Sequence, residues 1–240
     1  MITKKKCNNC SNRTCLIQFC SPAWQTIIDS KRTQIRYKKG QYIIIEGSPV
    51  YGIFFINQGK VKVVSSGLND KMQIVRLAND GQLLGHRGYG GETYPISAIA
   101  IEDSDICFVD NDTLYDAFMA NPKFTFEMMM FYSRELRKTE IRIKYLAQMT
   151  VREKVAMALL FIKDSFESDN NKGEQNIILT REEIASITGT NTDQISRFIS
   201  EFRSSDILET SGKKIIIKDE RKLRKMIESY ENSLKLFRRK

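Results

Sequence analysis

The amino-acid sequence predicts an α+β fold: an N-terminal antiparallel β-roll of the jelly-roll type, a long dimerisation helix, and a C-terminal winged helix-turn-helix. Three observations predict it. Residues 33–110 carry short β-branched and aromatic runs punctuated by glycine, a helical stripe follows Pro122, and a capped helix-turn-helix pattern runs from Leu179 to Ile199. The segments read as 1–20, a Cys-rich N-terminal stretch; 21–120, the β-roll; 121–150, the long helix; and 151–240, the domain that holds the helix-turn-helix.

The runs Tyr42–Ile45, Ile53–Ile56, Val61–Val64 and Met72–Val75 are separated by Gly40, Gly47, Gly59, Gly67 and Gly81. Short strands at near-regular intervals, with glycine at the turns, are the signature of a sandwich, barrel or jelly roll. From Pro122 the pattern turns helical, proline being tolerated in a first helical turn. Tyr132, Leu136, Thr139, Ile143 and Leu146 are then spaced four, three, four and three, between charged neighbours such as Arg134, Lys138, Glu140 and Lys144. A narrow stripe flanked by charge is what a helix pairing with its twin requires. The same stripe can instead pack on its own domain. A second helix covers about Val151–Phe166, and residues 168–173 read as a polar loop.

The most specific pattern begins at Thr180, where Thr180 and Glu183 have the spacing of a capping box. Ala185 is small where two helices cross closely, Gly189 suits the positive φ of a tight turn, and Asn191 or Thr190 can cap the next helix. That helix has an inner face of Ile195, Phe198, Ile199 and Phe202 and an outer face of Thr192, Asp193, Ser196 and Arg197. The N-terminal end of such a helix enters the major groove, where arginine reads guanine O6/N7 and a carboxylate accepts from cytosine N4. Downstream, Ile207–Thr210, Ser211–Lys214 and Ile215–Ile217 read as strand, basic turn and strand, a wing able to touch phosphates. The candidate DNA contacts are Thr180, Thr190, Asn191, Thr192, Asp193, Ser196, Arg197, Lys213 and Lys214.

Charge agrees with a polyanionic partner. The formal charge is +9, and residues 211–240 hold 11 Lys/Arg against 4 Asp/Glu. Lys and Arg displace counterions condensed on phosphates, although a basic tail can also serve solubility alone. Double-stranded DNA is the expected partner. No stretch approaches the roughly 20 apolar residues of a membrane span, and the start is polar and Cys-rich rather than an apolar signal core. These features point to a cytoplasmic protein without membrane partners. With one histidine, no nucleophile–base pair and no P-loop or Rossmann glycine pattern, nothing in the sequence supports an enzyme.

The order of β-roll, long helix and winged helix-turn-helix resembles the CRP/FNR family of bacterial transcription regulators, over nearly the whole chain. The resemblance implies a homodimer on a palindromic operator, RNA polymerase as a partner, and effector-driven movement about the long helices. Asp193, Ser196 and Arg197 match the family's acidic-x-x-Ser-Arg reading residues, with Asp193 in place of the usual glutamate. Members that bind cyclic nucleotides carry Gly-Glu and later Arg-Ser. Here the corresponding positions are Gly85-His86 and Ile96-Ser97, so both the acid and the phosphate-pairing arginine are replaced. Loss of that one charge costs on the order of 2–5 kcal/mol of affinity, which predicts no tight cyclic-AMP binding. Gly85, His86, Arg87 and Ser97 remain the candidate effector pocket, with Arg87 the basic side chain that can stand in. For His86 a metal or pH role competes with that of an ordinary loop histidine. A cyclic-nucleotide-binding module without DNA binding is the rival class, disfavoured by the missing arginine and by the helix-turn-helix.

Five cysteines complete the reading: Cys7, Cys10, Cys15 and Cys20 in one short segment, and Cys107 far away. An odd count in a reducing compartment argues for metal, cluster or redox chemistry rather than disulfides. Cys7-x2-Cys10-x4-Cys15 with Cys107 resembles the ligand set of the family's oxygen-sensing branch, which holds a [4Fe–4S] cluster on soft thiolates. The spacing before Cys15 is one residue shorter than in that branch, and Cys20 is additional. Two alternatives stand beside the cluster. The four N-terminal cysteines can hold a structural zinc, Cys107 being a buried strand residue, or the thiols can be free or reversibly oxidised.

Overall fold

The computed structural model describes residues 6–10, 12–67, 71–166, 176–212 and 214–230. These form two compact units, 1–137 and 138–240. The Cys-rich stretch belongs to the first unit, and the boundary between the units falls inside the long helix.

In the first unit eight strands make two four-stranded antiparallel sheets. They are β1 (Thr33–Tyr37), β2 (Tyr42–Ile44), β3 (Gly52–Gln58), β4 (Val61–Ser66), β5 (Met72–Ala78), β6 (Leu83–Leu84), β7 (Ser97–Ala100) and β8 (Ser104–Asp110). One sheet runs β1-β8-β3-β6, the other β2-β7-β4-β5. Side chains alternate across a strand, and β3 is apolar on both faces. Ile56 joins Ile44, Val61, Val63, Ala98 and Ile106 in one core cluster. Ile53 and Phe55 point the other way, into a second cluster with Leu16, Ile17, Ile28, Val109, Leu114 and Phe124. Burying each such side chain contributes about 1.5–3 kcal/mol.

That second cluster is what ties the N-terminal segment down. Two short 3-10 turns, Cys7–Asn9 and Leu16–Phe19, lead into α1 (Pro22–Lys31), which is started by Ser21 as N-cap with proline at its head. Helix α2 (Asn111–Ala120) follows β8 after an Asp110 cap. Helix α3 (Pro122–Gln148) begins two residues later, with Phe124 and Met128 in the same cluster.

The second unit holds α4 (Val151–Phe166), β9 (Asn176–Ile177), α5 (Arg181–Thr188), α6 (Thr192–Ser204), β10 (Leu208–Ser211), β11 (Lys214–Ile217) and α7 (Glu220–Met226). The wing is a three-stranded sheet, β10-β11-β9, so a strand from before α5 completes the predicted hairpin. The predicted polar loop at 168–173 and Lys213 lie outside the described residues. No helix among the described residues is long and apolar enough to cross a membrane.

Candidate functional site

Strand pairing and the two turns bring four thiols to one cavity. On β8, Ile106 faces the inter-sheet core while Cys107 and Val109 face the second cluster, with Cys107 opposite Phe55 of β3. The buried anchors Leu16 and Ile17 hold the N-terminal segment over this face. Cys7, Cys10, Cys15 and Cys107 then line a single cavity together with Arg32 and Asn57. Cys20 does not line it; its side chain is buried in the second cluster.

The polar frame around these thiols is specific. The Cys7 amide donates to Asp29 Oδ1 at 3.1 Å, and Asp29 pairs with Arg32 at 2.8 Å. Arg32 is almost fully buried and donates through Nη1 to Cys107 Sγ at 3.0 Å. Cys10 Sγ donates to Asn57 Oδ1 at 3.4 Å, and Gln18 Nε2 donates to the Cys7 carbonyl at 3.0 Å. Burial pushes the Cys7 thiol up to about 11 despite Arg32. Burial likewise takes Cys15 and Cys20 to about 12 and raises Cys107 against the pull of Arg32. Such thiols are protonated at neutral pH and poor nucleophiles, and a metal centre that binds them must displace the protons.

Thiols are the soft donors that an iron–sulfur cluster or a zinc ion takes, and four of them line this cavity. Four soft thiols and one buried cation face the same cavity, the cation opposing the negative charge that thiolates bring. Tetrahedral zinc needs every sulfur about 2.3 Å from one point. Among the described residues no three His, Cys, Asp or Glu side chains are grouped to hold a metal ion.

The stretch read as an effector pocket is arranged differently. Gly85 has φ +79°, and the next residue, His86, is 4% exposed. Its ring meets Phe131 and Tyr132 of α3 edge-on, with centroids 4.9 and 5.5 Å away. Its carbonyl accepts from the Tyr132 hydroxyl at 2.6 Å. Both ring nitrogens are buried without a hydrogen-bond partner. Burial first, then Arg76 and Arg87, push the imidazole down to about 2. His86 is thus part of the helix–roll contact rather than a solvent-facing loop histidine. Ser97 Oγ accepts from the Glu46 amide at 2.9 Å, and Arg87 is exposed. These residues do not present a common set of free donors.

On α3 the predicted stripe is largely bare. Leu136 and Ile143 are 62% and 63% exposed, Thr139 is exposed and Leu146 is half-buried. Tyr132 is committed in part to His86. The exposed stripe extends beyond the predicted one, since Met129, one heptad before Leu136, and Phe126 are exposed as well.

In the second unit the helix-turn-helix forms as its residues dictate. Thr180 Oγ1 accepts from the Glu183 amide while Glu183 accepts from the Thr180 amide, at 3.2 and 2.8 Å. Gly189 ends α5 at φ +66°, a left-handed conformation that costs glycine nothing. Asn191 caps α6 through the Gln194 amide at 2.9 Å. Ile195, Phe198, Ile199 and Phe202 are buried. Asp193 and Arg197 stand in solvent with Thr192, Ser196 is half-buried beside them, and Thr190 is half-buried before the helix. The Arg197 guanidinium lies over the Phe198 ring at 4.6 Å. The wing turn places Lys214 in solvent, and Arg203 Nη1 donates to Thr210 Oγ1 at 3.5 Å, tying α6 to the wing. One charge flanking the α3 stripe stabilises this unit in a way that the sequence does not announce. Arg142 of α3 donates to the Ile187 carbonyl at 3.2 Å, near the negative end of α5, and lies over the Phe161 ring.

A β-roll followed in sequence by a winged helix-turn-helix with an exposed, capped second helix defines a DNA-binding regulator. Comparison with known proteins agrees. The cyclic nucleotide-binding domain family model matches residues 34–121, and the Crp-like helix-turn-helix model matches residues 153–226. The chain is 26% identical over 220 residues to the transcriptional activator protein anr of Pseudomonas aeruginosa, covering 89% of this chain and 88% of that protein. It is 27% identical over 226 residues to the electron transport regulator A of Shewanella oneidensis, covering 90% and 88%. The structure of FixK2 from Bradyrhizobium japonicum superimposes with a TM-score of 0.71 at 22% identity, covering 81% of this chain and 96% of that one. The chain belongs to the CRP/FNR family of transcription regulators.

Proposed function

We propose that the protein is a cytoplasmic homodimer that binds a palindromic operator through α6 and acts on transcription with RNA polymerase. The observation that carries the reading is the exposure of Asp193 and Arg197, with Ser196 beside them, on the first turns of a helix whose opposite face is wholly buried. Arg197 offers guanine a bidentate fork and Asp193 offers cytosine an acceptor, while Thr180, Lys213 and Lys214 are suited to phosphates. Replacing Arg197 with alanine is expected to remove about 1–3 kcal/mol of discrimination between the operator and a single-base variant, with the dimer intact. Titration of labelled duplexes reads this directly. Unchanged operator preference in Arg197→Ala refutes the assignment.

The shared cavity of Cys7, Cys10, Cys15 and Cys107 favours a second reading, of what is sensed. We infer that these four thiols hold a [4Fe–4S] cluster, which when bound makes the regulator responsive to oxygen or redox state. Arg32 offsets their charge, and Asp29 and Gln18 fix the Cys7 backbone. Protein purified without oxygen is expected to carry about four iron and four sulfide per subunit. That content should survive Cys20→Ala and be lost in Cys107→Ala. Zinc alone, or no metal, sinks the cluster.

A further inference from the structure

The exposed face of α6 is ordered by contacts within the helix. At its head, Asn191 Oδ1 is committed to the Gln194 amide at 2.9 Å. That bond fixes the backbone of the first turn, and with it the point from which the Gln194 side chain leaves. Gln194 is half-buried, between the exposed Asp193 and the fully buried Ile195. Arg197 stands three residues on, and residues at that spacing are neighbours on a helix surface. Gln194 Oε1 accepts from Arg197 Nη2 at 3.5 Å. The same guanidinium lies over the Phe198 ring, 4.6 Å from its centroid, and that ring is only 7% exposed. Close packing keeps such a ring in place, so the arginine is held by an amide oxygen and a fixed aromatic platform.

Asp193 precedes Arg197 by four residues, a spacing at which a carboxylate and an arginine can pair. No ion pair joins them among the described residues. An aspartate is a methylene shorter than a glutamate, and here its carboxylate is left free to accept from a base. The arginine is steered by a neutral group instead. This matters because a carboxylate takes the guanidinium fork bidentately, in the geometry that guanine also needs. An amide oxygen occupies only one N–H of Nη2, and the other N–H groups remain for guanine O6/N7. A long exposed side chain gives up rotamer freedom when it binds, and one that is already held gives up less.

We propose that Gln194 is a positioning residue for DNA reading, which together with Phe198 presets the Arg197 fork for guanine. The proposal rests on the reading of Arg197 as a base contact. Gln194 was absent from the contacts that the sequence suggested, since its role lies in its neighbour and not in the DNA.

The test uses the full-length protein and a labelled duplex that the parent selects from a randomised palindromic library, with each base pair then replaced in turn. Titration at fixed salt gives the preference for the selected duplex over each variant. The pair whose preference is lost in Arg197→Ala is the one that Arg197 reads. At that pair Gln194→Met, similar in size but without the acceptor, is expected to lower the preference about fivefold. Every other pair should keep its parental value. In the Arg197→Ala background Gln194→Met should change nothing at that pair. A parental preference in Gln194→Met overturns the proposal, and so does an equal loss at every pair. A loss of the same size when Arg197 is already replaced also overturns it, and makes Gln194 a base reader in its own right. If Arg197→Ala keeps every preference, the underlying reading of Arg197 fails, and that single variant shows it.

Discussion

At the scale of single residues, His86 is the side chain whose environment differs most from its ordinary chemistry. It is the chain's one histidine, closed in by Phe131 and Tyr132, with both nitrogens unbonded. Burial and the charges of Arg76 and Arg87 hold its imidazole near 2 in the folded state, against about 6.5 in an unfolded chain. Below 6.5 the unfolded chain takes up a proton that the folded one refuses, so stability falls as pH falls. The linkage amounts to about 1.4 kcal/mol between pH 7.5 and 5.5. Carboxylates with lowered folded values, such as Asp29 and Asp110, lose their contribution only as pH falls towards and below the unfolded carboxylate value near 4. The upper window therefore belongs mainly to His86. Denaturant unfolding at the two pH values should show the loss in the parent protein and its absence in His86→Phe, which also removes two unsatisfied nitrogens. An equal slope in both proteins would show that the imidazole is not held neutral.

At the scale of elements, what was legible followed from local rules. The capping box at Thr180, the glycine at 189 and the buried face of α6 are short-range patterns, and the structure forms each of them. The four β runs appear as β2 to β5, and Val151–Phe166 is α4. The third strand of the wing was not legible, because Asn176–Ile177 is too short to announce itself and gains its partner only from tertiary pairing. The gathering of Cys107 with three N-terminal thiols depends on the register of β8 with β3, a contact between distant parts of the chain. Family resemblance suggested that set, whereas spacing alone left zinc open. Arg76 carries a trace in the sequence: it stands in the otherwise apolar run Ile74–Ala78, and a charge buried in such a strand signals a buried partner. Its partner Glu135 could not be named, since helix and strand meet only in the fold. His86 looked like a loop histidine because nothing local says that α3 will cover it.

At the scale of the whole molecule, α3 has to serve two contacts at once. One face carries Glu135 and Tyr132 against the β-roll, and Arg142 binds the end of α5. The bare stripe of Met129, Leu136 and Ile143 is left over, at heptad spacing and without cover. An exposed apolar row of this kind is unfavourable in a monomer and natural in a helix pair. In the proposed homodimer, pairing along this stripe would let two recognition helices meet half-sites about 34 Å apart, so the stripe should control DNA binding without touching DNA. Replacing Leu136 or Ile143 with glutamate puts two like charges at the centre of the pair. Because both side chains are more than half exposed in the single chain, the fold itself should be untouched, and the circular dichroism and melting of each unit should match the parent. Sedimentation equilibrium at micromolar concentration is expected to give monomers. Operator affinity should fall by roughly a thousandfold or more, since a lone subunit keeps one half-site and the advantage of linking two sites is lost. A dimer that persists in both variants would place the interface elsewhere and leave the stripe on α3 without a role.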